Sequence, residues 1–170
     1  SLMDTPIDYD NLVAMGCMMG SGGMIVMDED NCMVDIAHFF LEFTVDESCG
    51  KCTPCRVGTR RLLELLEKII SGNGELEDLD RMEELCNYIK SASLCGLGQT
   101  APNPVIATLK FFRDEYIAHI VDKKCPAGVC KKLLNFSIDA DACIGCGKCA
   151  RNCPANAINK TVYVAPGHKL

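Results

Sequence analysis

The sequence predicts an α+β fold that is mainly α: a small four-helix bundle over residues 33–122, followed by a smaller, incomplete module over 137–170. Three observations carry that expectation. Amphipathic stretches with apolar residues at three-to-four spacing follow one another across 33–121 with short connections between them. Three thiols at two-residue spacing, Cys49, Cys52 and Cys55, head the second of these stretches. After Lys123 the composition changes and a denser cysteine run begins at Cys143.

A chain of 170 residues can hold one domain with a real core plus a small module. A net charge of −6 and an isoelectric point near 5.0 argue against nucleic acid or an anionic membrane surface as partner. No secretory signal pattern is visible, and no apolar run approaches the roughly 18 residues of a membrane span. The thirteen cysteines, clustered at CxxC spacing, read as metal binding rather than a disulfide framework, which places the protein in the cytoplasm. The first residue is Ser1, and Gly167-His168-Lys169-Leu170 carries no stop-like feature, so both ends read as cut.

Residues 1–32 are expected to close a preceding β-containing domain and link it onward. Met24-Ile25-Val26-Met27 reads as a strand after the glycines Gly20, Gly22 and Gly23. A phosphate-cradling loop needs the opposite order, strand before glycines and helix after, so this loop reads as a tight turn. Cys17 and Cys32 lack a partner at ligand spacing and read as small buried hydrophobes.

The first predicted helix spans about Met33 to Val45, with Ile36, Ala37, Phe40 and Phe43 on one face. The second spans Pro54 to Ser71, with Leu62, Leu65, Leu66 and Ile69 inward, and Gly72-Asn73-Gly74 stops it. The third spans Leu76 to Ala92 on Leu76, Leu79, Met82, Cys86 and Ile89. The fourth is capped and opened by Asn103-Pro104 and runs to Val121, its stripe being Val105, Leu109, Phe112, Tyr116 and Ile120.

Cys49, Cys52 and Cys55 converge on one point only if the backbone curls around it, as it does around a cuboidal iron–sulfur cluster. Gly50 and Gly58 permit close backbone approach, and Pro54 suits a first helical turn. The following helix N-terminus, with Lys51 and Arg56, complements an anionic cluster. Cys95, flanked by glycine in Ser93-Leu94-Cys95-Gly96-Leu97-Gly98, is the candidate fourth ligand. Cys86 lies inside a helical stripe. A bundle brings the start of the second helix to the end of the third, so the [4Fe–4S] cluster would staple one end of it.

In the second module, Phe136-Ser137-Ile138-Asp139 reads as a short strand, and Thr161 to Val164 as another. Between them stands Cys143-x2-Cys146-x2-Cys149-x3-Cys153-Pro154, the bacterial ferredoxin run. In two-cluster ferredoxins the first three thiols hold one cluster and the cysteine before proline serves the other. Cys143, Cys146 and Cys149 are therefore expected to hold a second [4Fe–4S] cluster that lacks its fourth ligand here. Cys153 would serve a further cluster, making the module half a ferredoxin.

Cys125 and Cys130, in a hinge over 123–136, read equally as half of a zinc site or as unligated thiols, with His168 or a thiol beyond the end as candidate partners. His38 and His119 read as packing or surface residues. Lys123, Lys124, Lys131 and Lys132 form a basic patch, either solvated or docking an acidic redox partner.

Glu47 to Gly58 with Leu94-Cys95-Gly96-Leu97 resembles the cluster domain of the NADH-binding flavoprotein subunit of respiratory complex I. The similarity extends to Leu2–Tyr9, Gly20–Val26 and Phe111–Tyr116, and covers about residues 1–122. The Cys125–Cys130 segment and the ferredoxin run look instead like the version of that subunit in soluble NAD(P)-linked, including electron-bifurcating, [FeFe]-hydrogenases and related formate dehydrogenases. The resemblance implies an electron-transfer segment whose partners are other subunits of a multi-subunit redox complex and ferredoxin-like carriers. It also implies FMN and NAD(H) sites in an upstream part that these residues do not include, and no catalytic residue here. Two rivals stand beside it: a non-redox interaction module whose thiols bind zinc, and an independent small ferredoxin, which a helical bundle of about ninety residues argues against.

Overall fold

Helix α2 (Met33–Asp46) organises the first part of the chain. Its inward residues are Val34, Ala37 and Leu41, and they pack with Leu62, Leu66 and Ile69 of α3 (Thr59–Ile70). Leu79, Met82, Cys86 and Ile89 of α4 (Leu76–Ala92) and Val105 and Leu109 of α6 (Asn103–Phe111) complete the core. Shorter helices are α1 (Tyr9–Ala14), α5 (Gly96–Thr100), α7 (Arg113–Ile117) and α8 (Lys148–Asn152). The structure, a computed structural model, describes residues 4–134, 136, 138, 139 and 142–158. The chain divides into two units, 1–134 and 135–170.

The chain is mostly helical, and no strand occurs among the described residues. Met24–Met27 is irregular rather than a strand, and Met24, Ile25 and Val26 are well exposed. An apolar run becomes a strand only where another segment takes its backbone hydrogen bonds, and none of the described residues does so. The strand expected at 161–164 lies outside the described residues, as does Ser137 of the one expected at 136–139. Phe136, Ile138 and Asp139 are irregular.

Two predicted helices are interrupted. Pro54–Gly58 is a wide π turn that leads into α3. Gly58 admits it to the core: a Cβ there would lie 2.6 Å from Ile89 Cγ1. The fourth predicted helix breaks at Phe112 (φ −131°, ψ 35°) and ends in a second π turn, Ala118–Asp122. The break lets Tyr116 turn inward, where its hydroxyl meets Thr108 Oγ1 at 2.8 Å, and leaves Phe112 exposed. Five other residues expected on the inward faces fall differently. Phe43 and Leu76 are exposed and Ile36, Phe40 and Leu65 are half-buried, while Val34, Leu41, Thr44 and Leu63 take the buried positions.

The start of α4 is held by a buried carboxylate. Asp78 Oδ2 accepts the Glu75 amide at 2.9 Å and pairs with Lys68 Nζ at 2.7 Å, and Arg81 reaches its other oxygen at 3.3 Å. Burial works against the charge, but Lys68 and the Glu75 amide hold the carboxyl below its ordinary value. No helix among the described residues is long and apolar enough to cross a membrane.

Candidate metal centres

The two ends of α2 carry the two groups of ligands in the first unit: Cys32 precedes the helix and Ser48-Cys49 follows it. At 14 residues, α2 separates them by about 20 Å at 1.5 Å per residue.

At the C-terminal end the chain turns through Gly50 (φ +72°), where Arg56 Nη1 donates to the Gly50 carbonyl at 2.8 Å and fixes the curl of the CxxC segment. Cys55 is buried in the π turn, Cys52 is half-buried, and Cys49 and Cys95 are exposed. Ser48 Oγ lies 3.3 Å from Cys55 Sγ and accepts the Gly50 amide at 3.3 Å. The segment after α4 closes onto this turn. A Cβ at Gly98 would stand 3.0 Å from the Cys55 Cβ and 2.5 Å from Ser93 Oγ, so only glycine admits that approach. The amides of Leu94 and then Cys55 hold the Cys52 thiol below its usual value, with a smaller effect of the same sign from the Ser93 hydroxyl. Cys95 is thus one residue from an amide that faces Cys52, at the N-terminus of α5. Cys86 is fully buried among core residues, and burial pushes its thiol up to about 12.

This end fits an iron–sulfur cluster on three counts. The donors are thiols with amides and hydroxyls directed at them, and beyond its effect on Cys52 the buried Ser93 hydroxyl has no hydrogen-bond partner among the described residues. These thiols also do not form a group tight enough for a single ion, a geometry found among the described residues elsewhere only. A cube of iron and sulfide holds its four thiolates further apart than one tetrahedral ion does.

The N-terminal end of α2 holds that tighter group. Cys32, His119, Cys125 and Cys130 are all buried, with their ligand atoms within 4.8 Å of one another. Cys32 Sγ lies 3.8 Å from Cys130 Sγ, and His119 Nε2 lies 3.3 Å from each. Metal–sulfur bonds of about 2.3 Å in a tetrahedron require an S···S edge of about 3.8 Å. Glu115 builds the site from both sides: its carboxylate accepts the Met33 amide at 3.0 Å, beside Cys32, and its carbonyl takes His119 Nδ1–H at 2.7 Å. The second contact leaves Nε2 as the ligand atom, an outer-shell arrangement common to metal-bound histidine. The π turn at 118–122 carries His119 inward, and the turn at Cys125–Gly128 brings both remaining thiols under it.

Cys130 and then His119 pull the Cys32 thiol well below its ordinary value, while Cys32 pushes Cys130 up. Burial opposes the imidazolium of His119, but Cys32 and the Glu115 carbonyl raise it to about 9. A divalent cation bound here would be held by the three thiolates and the neutral ring, at the expense of these protons. Cys32, expected as a small buried hydrophobe, and His119, expected as a packing or surface residue, are both buried, and both stand within reach of Cys130 as candidate partners for Cys125 and Cys130. His168 lies outside the described residues. Cys17, expected to be buried, is exposed.

In the second unit, Gly145 (φ +70°) and Gly147 (φ +66°) bend the chain between Cys143, Cys146 and the first turn of α8, which carries Cys149. Cys153 ends that helix. The amides of Ala157 and then Ala155 hold its thiol below the usual value, the first reaching Sγ at 3.4 Å.

The family model of the NADH-ubiquinone oxidoreductase-F iron–sulfur binding region matches residues 35–119, and that of a 4Fe-4S binding domain matches 135–158. The NADP-reducing hydrogenase subunit HndC of Solidesulfovibrio fructosivorans is 56% identical over 159 residues, covering 94% of this chain and 32% of that protein. The F subunit of the NADH-quinone oxidoreductase of Streptomyces coelicolor is 42% identical over 124 residues, covering 73% of this chain and 28% of its own length. The crystal structure of an NAD+-reducing [NiFe]-hydrogenase in the H2-reduced state superposes with a TM-score of 0.54 at 40% identity, over 56% of this chain and 17% of that one. The chain thus spans about a third of the length of the curated relatives it matches. With half of its residues matched by the first model and the thiols of that region gathered at one end of α2, the chain belongs to the family of the NADH-ubiquinone oxidoreductase-F iron–sulfur binding region.

Proposed function

We propose that the chain is an electron-transfer segment of the flavoprotein subunit of an NAD(P)-linked oxidoreductase complex of hydrogenase type. Cys49, Cys52, Cys55 and Cys95 hold one [4Fe–4S] cluster at the end of a four-helix arrangement of α2, α3, α4 and α6. Cys143, Cys146 and Cys149 hold a second in a ferredoxin-like half-module, and Cys153 serves a further cluster. When bound, such clusters exchange single electrons. The protein's part is to orient four thiolates, direct amides and hydroxyls at the sulfurs, and restrict water on the Cys55 side. FMN and NAD(H) bind in other parts of the whole subunit, and the partners are the other subunits and ferredoxin-like carriers.

The observation that carries this reading is the closure onto Cys52 and Cys55 of the Ser93–Gly98 segment, which contains the candidate fourth ligand Cys95. The similarity to HndC over 94% of the chain, through both cysteine regions, favours the hydrogenase type over the complex I type. Cys32, His119, Cys125 and Cys130 hold one zinc ion in a closed structural site, with no ligand position left open for chemistry. Anaerobic purification followed by reduction tests the function: the expected result is a brown protein with a cluster EPR signal on one-electron reduction. A colourless protein carrying only zinc would establish the non-redox interaction module instead.

A further inference from the structure

We propose that the Ser93 hydroxyl donates a hydrogen bond to the sulfur of the cluster at Cys49, Cys52, Cys55 and Cys95 and raises its reduction potential. The inference rests on the cluster reading above and adds a tuning residue to it. Ser93 is 4% exposed, and its Oγ is the buried side-chain oxygen left without a partner among the described residues. Its backbone is already committed, with the amide donating to the Ile89 carbonyl at 3.1 Å and the carbonyl accepting Gln99 Nε2 at 3.1 Å. The buried hydroxyls of Thr44, Thr59 and Thr108 bond back to carbonyls of their own helices. Ser93 has left the helix (φ −73°, ψ 143°) and does not.

An unsatisfied buried hydroxyl costs about 1–3 kcal/mol, and the one group this hydroxyl already acts on is the Cys52 thiol, which it helps to hold below its usual value. The surroundings point to the same acceptor. Gly98, whose missing side chain would strike both Ser93 Oγ and Cys55 Cβ, places the hydroxyl against the thiol-bearing turn. A second hydroxyl, Ser48, already meets Cys55 Sγ at 3.3 Å. A donor at a cluster sulfur favours the reduced, more negative form, so its loss lowers the potential.

The test is a redox titration of anaerobically purified protein, following the EPR signal that Cys95→Ala abolishes. Ser93→Ala is expected to keep the iron content while shifting the oxidised-to-reduced ratio at fixed ambient potential about tenfold toward oxidised, or about 59 mV for one electron. Ser93→Thr, which retains the hydroxyl, is expected to stay near the wild-type potential. If Ser93→Ala does not retain its cluster, Ser93→Gly takes its place, and pulsed EPR is expected to show one exchangeable proton coupling fewer in it than in the wild type and in Ser93→Thr. An unmoved potential in cluster-replete Ser93→Ala, or no coupling lost in Ser93→Gly, would overturn the proposal and leave the cluster reading standing. A wild-type protein without the cluster signal would overturn both.

Discussion

The two ends of α2 gather similar side chains by different means. At the C-terminal end three ligands lie within seven residues of one another, two of the four cysteines are exposed, and the backbone supplies donors around them. At the N-terminal end four ligands drawn from residues 32 to 130 are all buried, and their atoms are close enough to share one ion. The first geometry would suit an inorganic core, as proposed above. The second would enclose a single ion, which would fasten the end of the helical region to the start of α2. Each centre takes one ligand from a π turn, Cys55 in one and His119 in the other. A widened turn re-aims a side chain that a regular helix would place elsewhere.

The largest expected effect separates the fourth ligand from its rival. Cys95→Ala should abolish or convert the cluster, taking the iron bound at this end from about four per chain to none on loss or about three on conversion. Cys86→Ala should leave iron content and spectrum intact. Iron assay and EPR of the two variants decide, and the reverse pattern would remove Cys95 from the site.

Next in size is the structural role of the other end. Cys32 and Cys130 are 98 residues apart in sequence, so a metal bridge between them closes a long loop. By the entropy of such a closure, Cys32→Ala or chelation should cost about 4 kcal/mol of unfolding free energy. Calorimetry of holo, chelated and variant protein checks this. Metal affinity should fall as pH falls, because the ligating thiols and imidazole take up protons that the ion must displace.

A smaller effect concerns the frame both ends share. The folded-state pKa of Asp78 lies below its unfolded value, so its contribution is complete above about pH 4 and is lost as pH falls through the folded value. Asp78→Asn should cost about 1 kcal/mol at neutral pH, discounted because Lys68 and Arg81 remain partly in water, and should flatten the acid limb of the stability curve. Urea titrations from pH 3 to 7 test both.

The same contrast separates what residue spacing reveals from what only packing decides. The helix spans Met33–Asp46 and Leu76–Ala92 follow directly from apolar periodicity, because each buries one stripe over several turns. The thiol triplet at 49–55 and the run at 143–153 are legible because their spacing is itself the geometry. The Cys32–His119–Cys125–Cys130 group is only half visible in the sequence, as Cys125 and Cys130. Its other members are ordinary there: one residue before a helix, one on a helical stripe. Only the requirement for four ligands points to missing partners, and tertiary packing supplies them. The break at Phe112 is equally hidden, since the stripe Leu109–Phe112–Tyr116 satisfies helical spacing, and the inward turn of Tyr116 toward Thr108 is set by packing rather than by that spacing.

The measurement that bears most directly on the account is iron and zinc content, determined together on anaerobically purified wild type, Cys130→Ser and Cys95→Ala. The account predicts about one zinc per chain in the wild type and in Cys95→Ala, with zinc lost from Cys130→Ser while its iron is retained. Absence of zinc from iron-replete wild type, or loss of iron together with zinc in Cys130→Ser, would contradict the assignment of two separate centres to the two ends of α2.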